Sequence, residues 1–212
     1  MARLILVRHG QSVWNASNRF TGWTDVGLSE QGVEEAEDAG RQLSEIRIDV
    51  VHTSDLIRAQ RTAEIIMRHN EASEDVPTNY DWRLNERHYG ALQGLNKTET
   101  AEQHGAEQVH IWRRSFDVAP PEGESLEMTA ERTIPYFTEE IVPDLVSGKN
   151  VLVSAHGNSL RSIVMHIDGI SPEDIVSLEI PTGEPIHYSY CLLYTSDAAD
   201  EGLGVDLGGR RI

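Results

Sequence analysis

The sequence has one cysteine, Cys191, so the chain can form neither an internal disulfide framework nor a cysteine-based metal site. A reducing compartment fits that usage. Lysine is almost as scarce, with only Lys97 and Lys149. Basic charge is thin altogether: 18 Lys and Arg face 35 Asp and Glu, a formal net charge of −17. Such a field repels nucleic acid and anionic membrane, which excludes broad electrostatic binding to either. Long apolar runs are missing too. The run after Arg3 is too short for a signal peptide or a membrane span, and no later segment is long enough. These absences describe a soluble, cytoplasmic protein. They also make any cluster of basic residues informative, because it opposes the overall balance.

What is present suffices for a sizeable core: 212 residues, 39% of them hydrophobic, are enough for one large domain or two small ones. RLILV (3–7), DVVHTS (49–54) and NVLVSAHG (150–157) read as short buried strands. Between them, Val33, Ala36, Ala39, Leu43 and Ile46 fall near helical spacing behind Ser29, a natural N-cap. Further helices are predicted over about 55–67 behind Ser54, over 96–114 behind Asn96, and over 125–146 across Pro135 and Pro143. Another is expected from about Ser159, and a helix start at SPEDI. Residues 76–95 read as loop or extended chain. Strands alternating with helices predict an α/β fold, a three-layer α/β/α sandwich on a mostly parallel sheet.

Two strands end alike, LILVRHG and VLVSAHG, each an apolar run followed by His-Gly. In parallel α/β sheets ligands sit outside the carboxyl ends of strands, so His9 and His156 would project into one site. Gly10 and Gly157 would let the backbone turn and come close to a ligand. Imidazole can attack phosphorus and carry the phosphoryl group covalently. The transferring group spreads charge over three oxygens and needs a cationic cradle, for which arginine is suited. Arg8 adjoins the first histidine, and Arg58 begins one turn into the helix after VVHTS. A lone histidine at a strand end is more often structural; the pairing with arginines is what points to chemistry. The remaining seven histidines show no HxH or HExxH spacing, so no metal site is expected.

The stretch LVRHGQSVWNASNRFTGWTDVGLSEQG resembles the signature of the 2,3-bisphosphoglycerate-dependent phosphoglycerate mutases, within the histidine phosphatase superfamily. The likeness continues through TSDLIRAQRTAEII, WRLNERHYGALQGLNK, WRRSFDVAPP, SAHGNSLRSIVMHIDGIS and IPTGEPIHY, covering nearly all of 1–190. Arg-His-Gly alone implies only the superfamily; the block ERHYGALQGLNK with WRRS is more specific. The resemblance implies a phosphorylated nucleophile at His9, and Arg8, Arg58 and His156 around the transferring phosphoryl group, with Gly157 helping. It implies a general acid/base at Glu86. Asn15, Thr21 and Gly22 would lie near the phosphate and carboxylate. Tyr89, Lys97, Arg113 and Arg114 would receive the substrate carboxylate and second phosphate, with Asn158 a further binding position. The implied reaction interconverts 3-phosphoglycerate and 2-phosphoglycerate in glycolysis and gluconeogenesis, with 2,3-bisphosphoglycerate as primer and no metal. Only VAPPEG separates the RRSFD block from the next helix, which resembles the short form of the family and leaves a homodimer or higher homo-oligomer open.

Three rivals stand beside that reading. They are a phosphatase of the same superfamily, a catalytically silent binding module, and a metal hydrolase that EDTA would stop. The chain from Cys191 differs in kind: CLLYTSDAADE and VDLGGRRI resemble translated sequencing adapter. Residues 1–190 are therefore expected to be the catalytic domain and 191–212 a non-native tail. If a native C-terminal segment is missing, the resemblance implies a shift from mutase toward hydrolysis.

Overall fold

The computed structural model describes residues 1–191. The expectation of a non-native tail lies outside the described residues, apart from the exposed Cys191. In chain order the elements are β1 (Ala2–Arg8), α1 (Val13–Ala16), α2 (Glu30–Gln42), β2 (Val50–Thr53), α3 (Ile57–His69) and β3 (Thr78–Tyr80). Then follow α4 (Lys97–His104), α5 (Ala106–Arg114), α6 (Leu126–Tyr136), α7 (Val142–Val146), β4 (Val151–Ala155), α8 (Gly157–Asp168) and β5 (Pro185–Tyr190). The sheet order is β3-β2-β4-β1-β5, parallel except for β5, which runs antiparallel to β1.

Strand periodicity divides the core. Leu4 and Leu6 of β1 join Val151 and Val153 of β4 on one face, under Phe137, Leu160 and Ile163. Ile5 and Val7 join Val51 and Leu152 on the other, under Ala39, Leu43, Ala63 and Ile66. Alternate residues of one strand thus serve opposite layers, which makes the sandwich three-layered. Each fully buried aliphatic side chain contributes roughly 1.5–3 kcal/mol.

Several local expectations shift. Ser29 caps α2, accepting from Gly32 N. Ser54 is not the cap of α3; that helix begins two residues later, and the Ser54 hydroxyl is used elsewhere. The single helix expected over 96–114 is two, broken at Gly105, whose φ of 88° no helical residue adopts. Pro135 and Pro143 do not end the 126–146 run. A π-turn at Phe137–Ile141 lies between them, where lost or displaced backbone bonds are absorbed. SPEDI forms only turns and a short 3₁₀ segment at Ile175–Ser177.

The parallel pairing of β1 with β4 places Arg8 opposite Ala155, and His9 N donates to Ala155 O at 3.0 Å. The two histidines that follow these strands are therefore neighbours by register. The loop after β1 is pinned from the other side. A Cβ on Gly10 would lie 2.0 Å from the Gly32 carbonyl oxygen, and one on Gly32 equally close to that of Gln11. Gly10 is thus needed for backbone contact with α2, rather than for ligand approach alone.

Candidate active site

His9 and His156 meet edge to face, ring centroids 4.9 Å apart and 62° between planes, both buried. His9 Nδ1 lies 2.7 Å from the Gly10 carbonyl oxygen. A carbonyl only accepts, so Nδ1 carries the proton and Nε2 keeps its lone pair. Arg58, itself 1% exposed, donates from Nε to that Nε2 at 3.3 Å; its Nη2 donates to Gly22 O at 2.7 Å and its Nη1 to Thr24 O at 3.1 Å. The second turn-forming strand end, β2, supplies Ser54, whose Oγ is 2.7 Å from His156 Nε2 and accepts from Leu56 N at 3.2 Å. His156 Nδ1 is buried with no partner among the described residues.

Electrostatics follow from burial beside cations. Burial, then Arg58 and Arg8, hold the His9 pKa well below the usual imidazole range. Burial, then Arg58 and His9, do the same to His156. Both rings are neutral near pH 7, and a neutral His9 is the nucleophilic form. Burial lowers Arg58 only to about 10, which leaves it charged. Burial likewise lowers Lys97, with Arg113 and Arg8 adding to the effect against Tyr89.

These shifts carry a stability prediction. In the unfolded chain both histidines titrate near 6.5, above their folded values, so the unfolded state binds more protons below that pH. The stability is present in full above about pH 6.5 and is lost as pH falls toward the folded pKa values. The slope is about 1.4 kcal/mol per pH unit for each ring, so roughly 2.7 for the pair. His52 and His187, also lowered by burial, act in the same direction. Urea midpoints should therefore drop between pH 7 and pH 5.5, and a flat profile there would exclude neutral buried histidines.

Glu86 is placed by a chain of contacts. Asp81 caps the 3₁₀ turn Trp82–Leu84 by accepting from Arg83 N at 2.8 Å. Arg132 of α6 donates to the carbonyls of Arg83, Asn85 and Glu86 at 2.8, 3.0 and 2.9 Å. Its guanidinium is bidentate to Glu124 at 2.9 and 2.8 Å, a partly buried pair that fixes the donor fork. The Glu86 carboxylate is held by one oxygen only. Oε1 accepts from Arg87 N at 2.8 Å and from Asn158 N and Nδ2 at 3.1 and 2.9 Å. Oε2 accepts no hydrogen bond among the described residues and lies 3.7 Å from where a Gly157 Cβ would be.

Every residue singled out from the sequence except Gly10 and His156 lines one cleft of about 260 Å³; Gly10 packs against α2 and His156 lies behind the cleft, fully buried. Arg19, Phe20, Arg161, Glu179 and Ile180 line it as well. Asn15 turns its Oδ1 to Ser12 N at 3.1 Å, and Thr21 Oγ1 is buried without a partner among the described residues. Arg8 Nη1 donates to Ile180 O at 2.7 Å while its Nε is orphaned. Arg161, buried on α8, donates to Asn158 Oδ1 at 3.2 Å and to Ile175 O, and its Nε is also orphaned. Burial, then Arg87 and Arg114, lower Arg161 to about 10, so it too stays charged. Arg161 and Arg132 were not singled out from the sequence, and Ser54 only as a helix cap. For Arg161 a signal existed, an arginine inside the otherwise apolar and small run SLRSIV; for Arg132 there was none.

Arg8, Arg58, Lys97, Arg113 and Arg161 have no carboxylate at ion-pair distance among the described residues. Partly buried cations without counter-ions, in a chain this acidic, ask for an anionic ligand with several charged groups. No group of three or more His, Cys, Asp and Glu among the described residues could hold a metal ion.

Residues 4–191 match the histidine phosphatase superfamily (branch 1). A Staphylococcus carnosus protein named 2,3-bisphosphoglycerate-dependent phosphoglycerate mutase is 53% identical over 216 aligned positions, which cover 89% of this chain and 94% of its own length. One of the same name from Protochlamydia amoebophila is 50% identical, covering 90% and 96%. Among solved structures, one described as mycobacterial hydrolase 1 superposes with a TM-score of 0.81 at 25% identity, over 93% of each chain.

Proposed function

Since the chain belongs to branch 1 of the histidine phosphatase superfamily, we propose that its cleft works as that of a 2,3-bisphosphoglycerate-dependent phosphoglycerate mutase. It interconverts 3-phosphoglycerate and 2-phosphoglycerate through a phosphohistidine enzyme and a 2,3-bisphosphoglycerate intermediate, a step of glycolysis and gluconeogenesis. The observation that carries this is the pair of buried, neutral histidines at adjacent strand ends beside Arg8 and Arg58.

The donor set fits a ligand with two phosphates and a carboxylate. The cations Arg8, Arg161, Lys97 and Arg113, with the unpartnered Thr21 hydroxyl beside them, supply more positive charge and more donors than a simple monoester needs. When bound, 2,3-bisphosphoglycerate supplies the phosphoryl group that charges His9.

The residues then divide the work. His9 Nε2 forms the N–P bond, with Nδ1–H held by the Gly10 carbonyl so that the reacting nitrogen keeps one orientation. Arg8 and Arg58 neutralise the phosphoryl oxygens, and His156 offers Nδ1–H while the Ser54 hydroxyl donates to its Nε2. The first N–H groups of α8, at Gly157, add donors. Glu86 Oε2 takes the proton from the substrate hydroxyl as it attacks phospho-His9, and returns it to the oxygen that leaves when His9 accepts the other phosphate. Lys97, Arg113, Arg114 and Asn158 hold the end of the substrate away from His9. No helix among the described residues is long and apolar enough to cross a membrane; the substrates of this step place its work in the cytoplasm.

The test is an enolase-coupled assay of 3-phosphoglycerate isomerisation with and without bisphosphoglycerate primer, beside phosphate release. Primer-dependent isomerisation outrunning hydrolysis is expected. Phosphate release with no isomerisation would make the protein a phosphatase.

A further inference from the structure

The segment between α8 and β5 holds three of the arginines that face the cleft. Ile175 O accepts from Arg161 Nη2, Ile180 O accepts from Arg8 Nη1 at 2.7 Å, and the Glu179 carboxylate accepts from Arg114 Nη2. Two of these acceptors are neutral backbone carbonyls, which orient a guanidinium without cancelling its charge. The third is a full negative charge. Among the described residues Glu86 and Glu179 are the two acids lining the cleft, and Glu86 spends its bound oxygen on N–H groups near the histidines. Among the described residues Glu179 alone is paired with a cleft cation, and its side chain is 66% exposed, so it can swing into solvent at little cost. Arg114, at the end of α5, is the more fixed partner, its side chain 24% exposed.

We infer that Glu179 is an affinity-setting residue: its carboxylate occupies Arg114 in the free protein and is displaced by the anionic group of the substrate farthest from His9. The inference rests on the mutase reading for the identity of that ligand. Its physical basis is a competition between two anions for one guanidinium. A ligand with a second anionic group must first remove Glu179 and then sit near its charge. A phosphate monoester with no second anion leaves the pair intact. Glu179 therefore weakens binding of substrate and product alike. That raises KM and speeds release, which favours turnover when substrate is abundant. An exposed pair of this kind is worth only a small factor, about two- to fivefold in affinity.

The experiment is calorimetric titration of the full chain with 3-phosphoglycerate and with glycerol 1-phosphate, on wild type, Glu179→Gln, Arg114→Gln and the double variant. Glu179→Gln is expected to lower the Kd for 3-phosphoglycerate about two- to fivefold, with a smaller change for glycerol 1-phosphate. In the Arg114→Gln background the gain should largely vanish, because the cation contested is gone. An unchanged or higher Kd in Glu179→Gln overturns the inference, as would a gain of the same size without Arg114 or with glycerol 1-phosphate. If the wild type takes up no 3-phosphoglycerate, the mutase reading falls with it. If the wild type binds and the variant does not tighten, only the role of Glu179 falls.

Discussion

His9→Gln is expected to abolish phosphoglycerate isomerisation, by about 10⁴-fold or more, because His9 is the one imidazole lining the cleft among the described residues. Glutamine is chosen for its shape. Its amide N–H can replace the Nδ1 donor to Gly10 O, its amide oxygen can accept from Arg58, and removing a neutral ring adds no buried charge. The variant should therefore fold. It should also lose one ring's share of the acid-side stability slope, since His9 is one of the two strongly lowered histidines. Incubation with phosphoryl-labelled bisphosphoglycerate then separates causes. Wild type takes up acid-labile label and His9→Gln takes up none. Label retained in the variant would move the carrier to another nitrogen, His156 being the neighbour. A variant that binds 3-phosphoglycerate normally yet cannot turn it over would locate the loss in chemistry rather than in binding.

That prediction was within reach of the sequence because its geometry is set by strand ends. An apolar run that stops at His-Gly fixes where the imidazole emerges, and two such runs in a parallel sheet must emerge on the same side. The pairing of Arg8 with Ala155 turns that likeness into adjacency. The sheet and α2 were legible for similar reasons, strong periodicity and an N-cap at Ser29. β5 was hidden. Its alternation of Ile186, Tyr188 and Tyr190 is a period of two, but tyrosines and His187 blur it, and an antiparallel edge has no helix to announce it. The break at Gly105 rests on a single glycine at φ 88° inside an otherwise helical pattern, while Val109 of the second helix packs with Phe20 and Leu92. Ser54 read as a cap because capping and side-chain pairing use the same hydroxyl, and only the third dimension brings His156 to it. Arg132 and Glu124 lie eight residues apart and act on a carbonyl 46 positions from Arg132, a separation that no local pattern encodes. The legible part of the site is thus what the chain itself juxtaposes. The illegible part is the scaffolding that long-range contacts supply, and it bears on how well Glu86 is aimed.

Glu86→Gln should lower kcat by about 10²–10⁴-fold while the melting temperature stays near that of wild type. The two outcomes follow from the two oxygens. Oε1 accepts three N–H bonds, and the glutamine carbonyl oxygen can accept the same three, so the loop and Asn158 keep their places. Oε2 has no hydrogen-bond donor on it among the described residues and faces the first residue of α8, and there glutamine puts an NH₂ that cannot accept a proton. Both halves of the reaction need that oxygen, which takes the proton of the hydroxyl attacking phospho-His9 and, once protonated, gives it to the departing oxygen. At saturating bisphosphoglycerate, transfer of label to His9 should therefore slow together with isomerisation, unlike in a variant damaged only in substrate binding, whose rate saturation restores. Glu86→Asp sharpens the test: it keeps the charge but draws the free oxygen back by one methylene, so activity should fall even though a carboxylate remains. Arg132→Met leaves the carboxylate in place and removes its backbone clamp, with Glu124 stranded, so kcat and stability should fall together. Should Glu86→Gln instead melt early and retain its kcat, the carboxylate would be a structural tie between the loop and α8, and the proton would have to travel by another route.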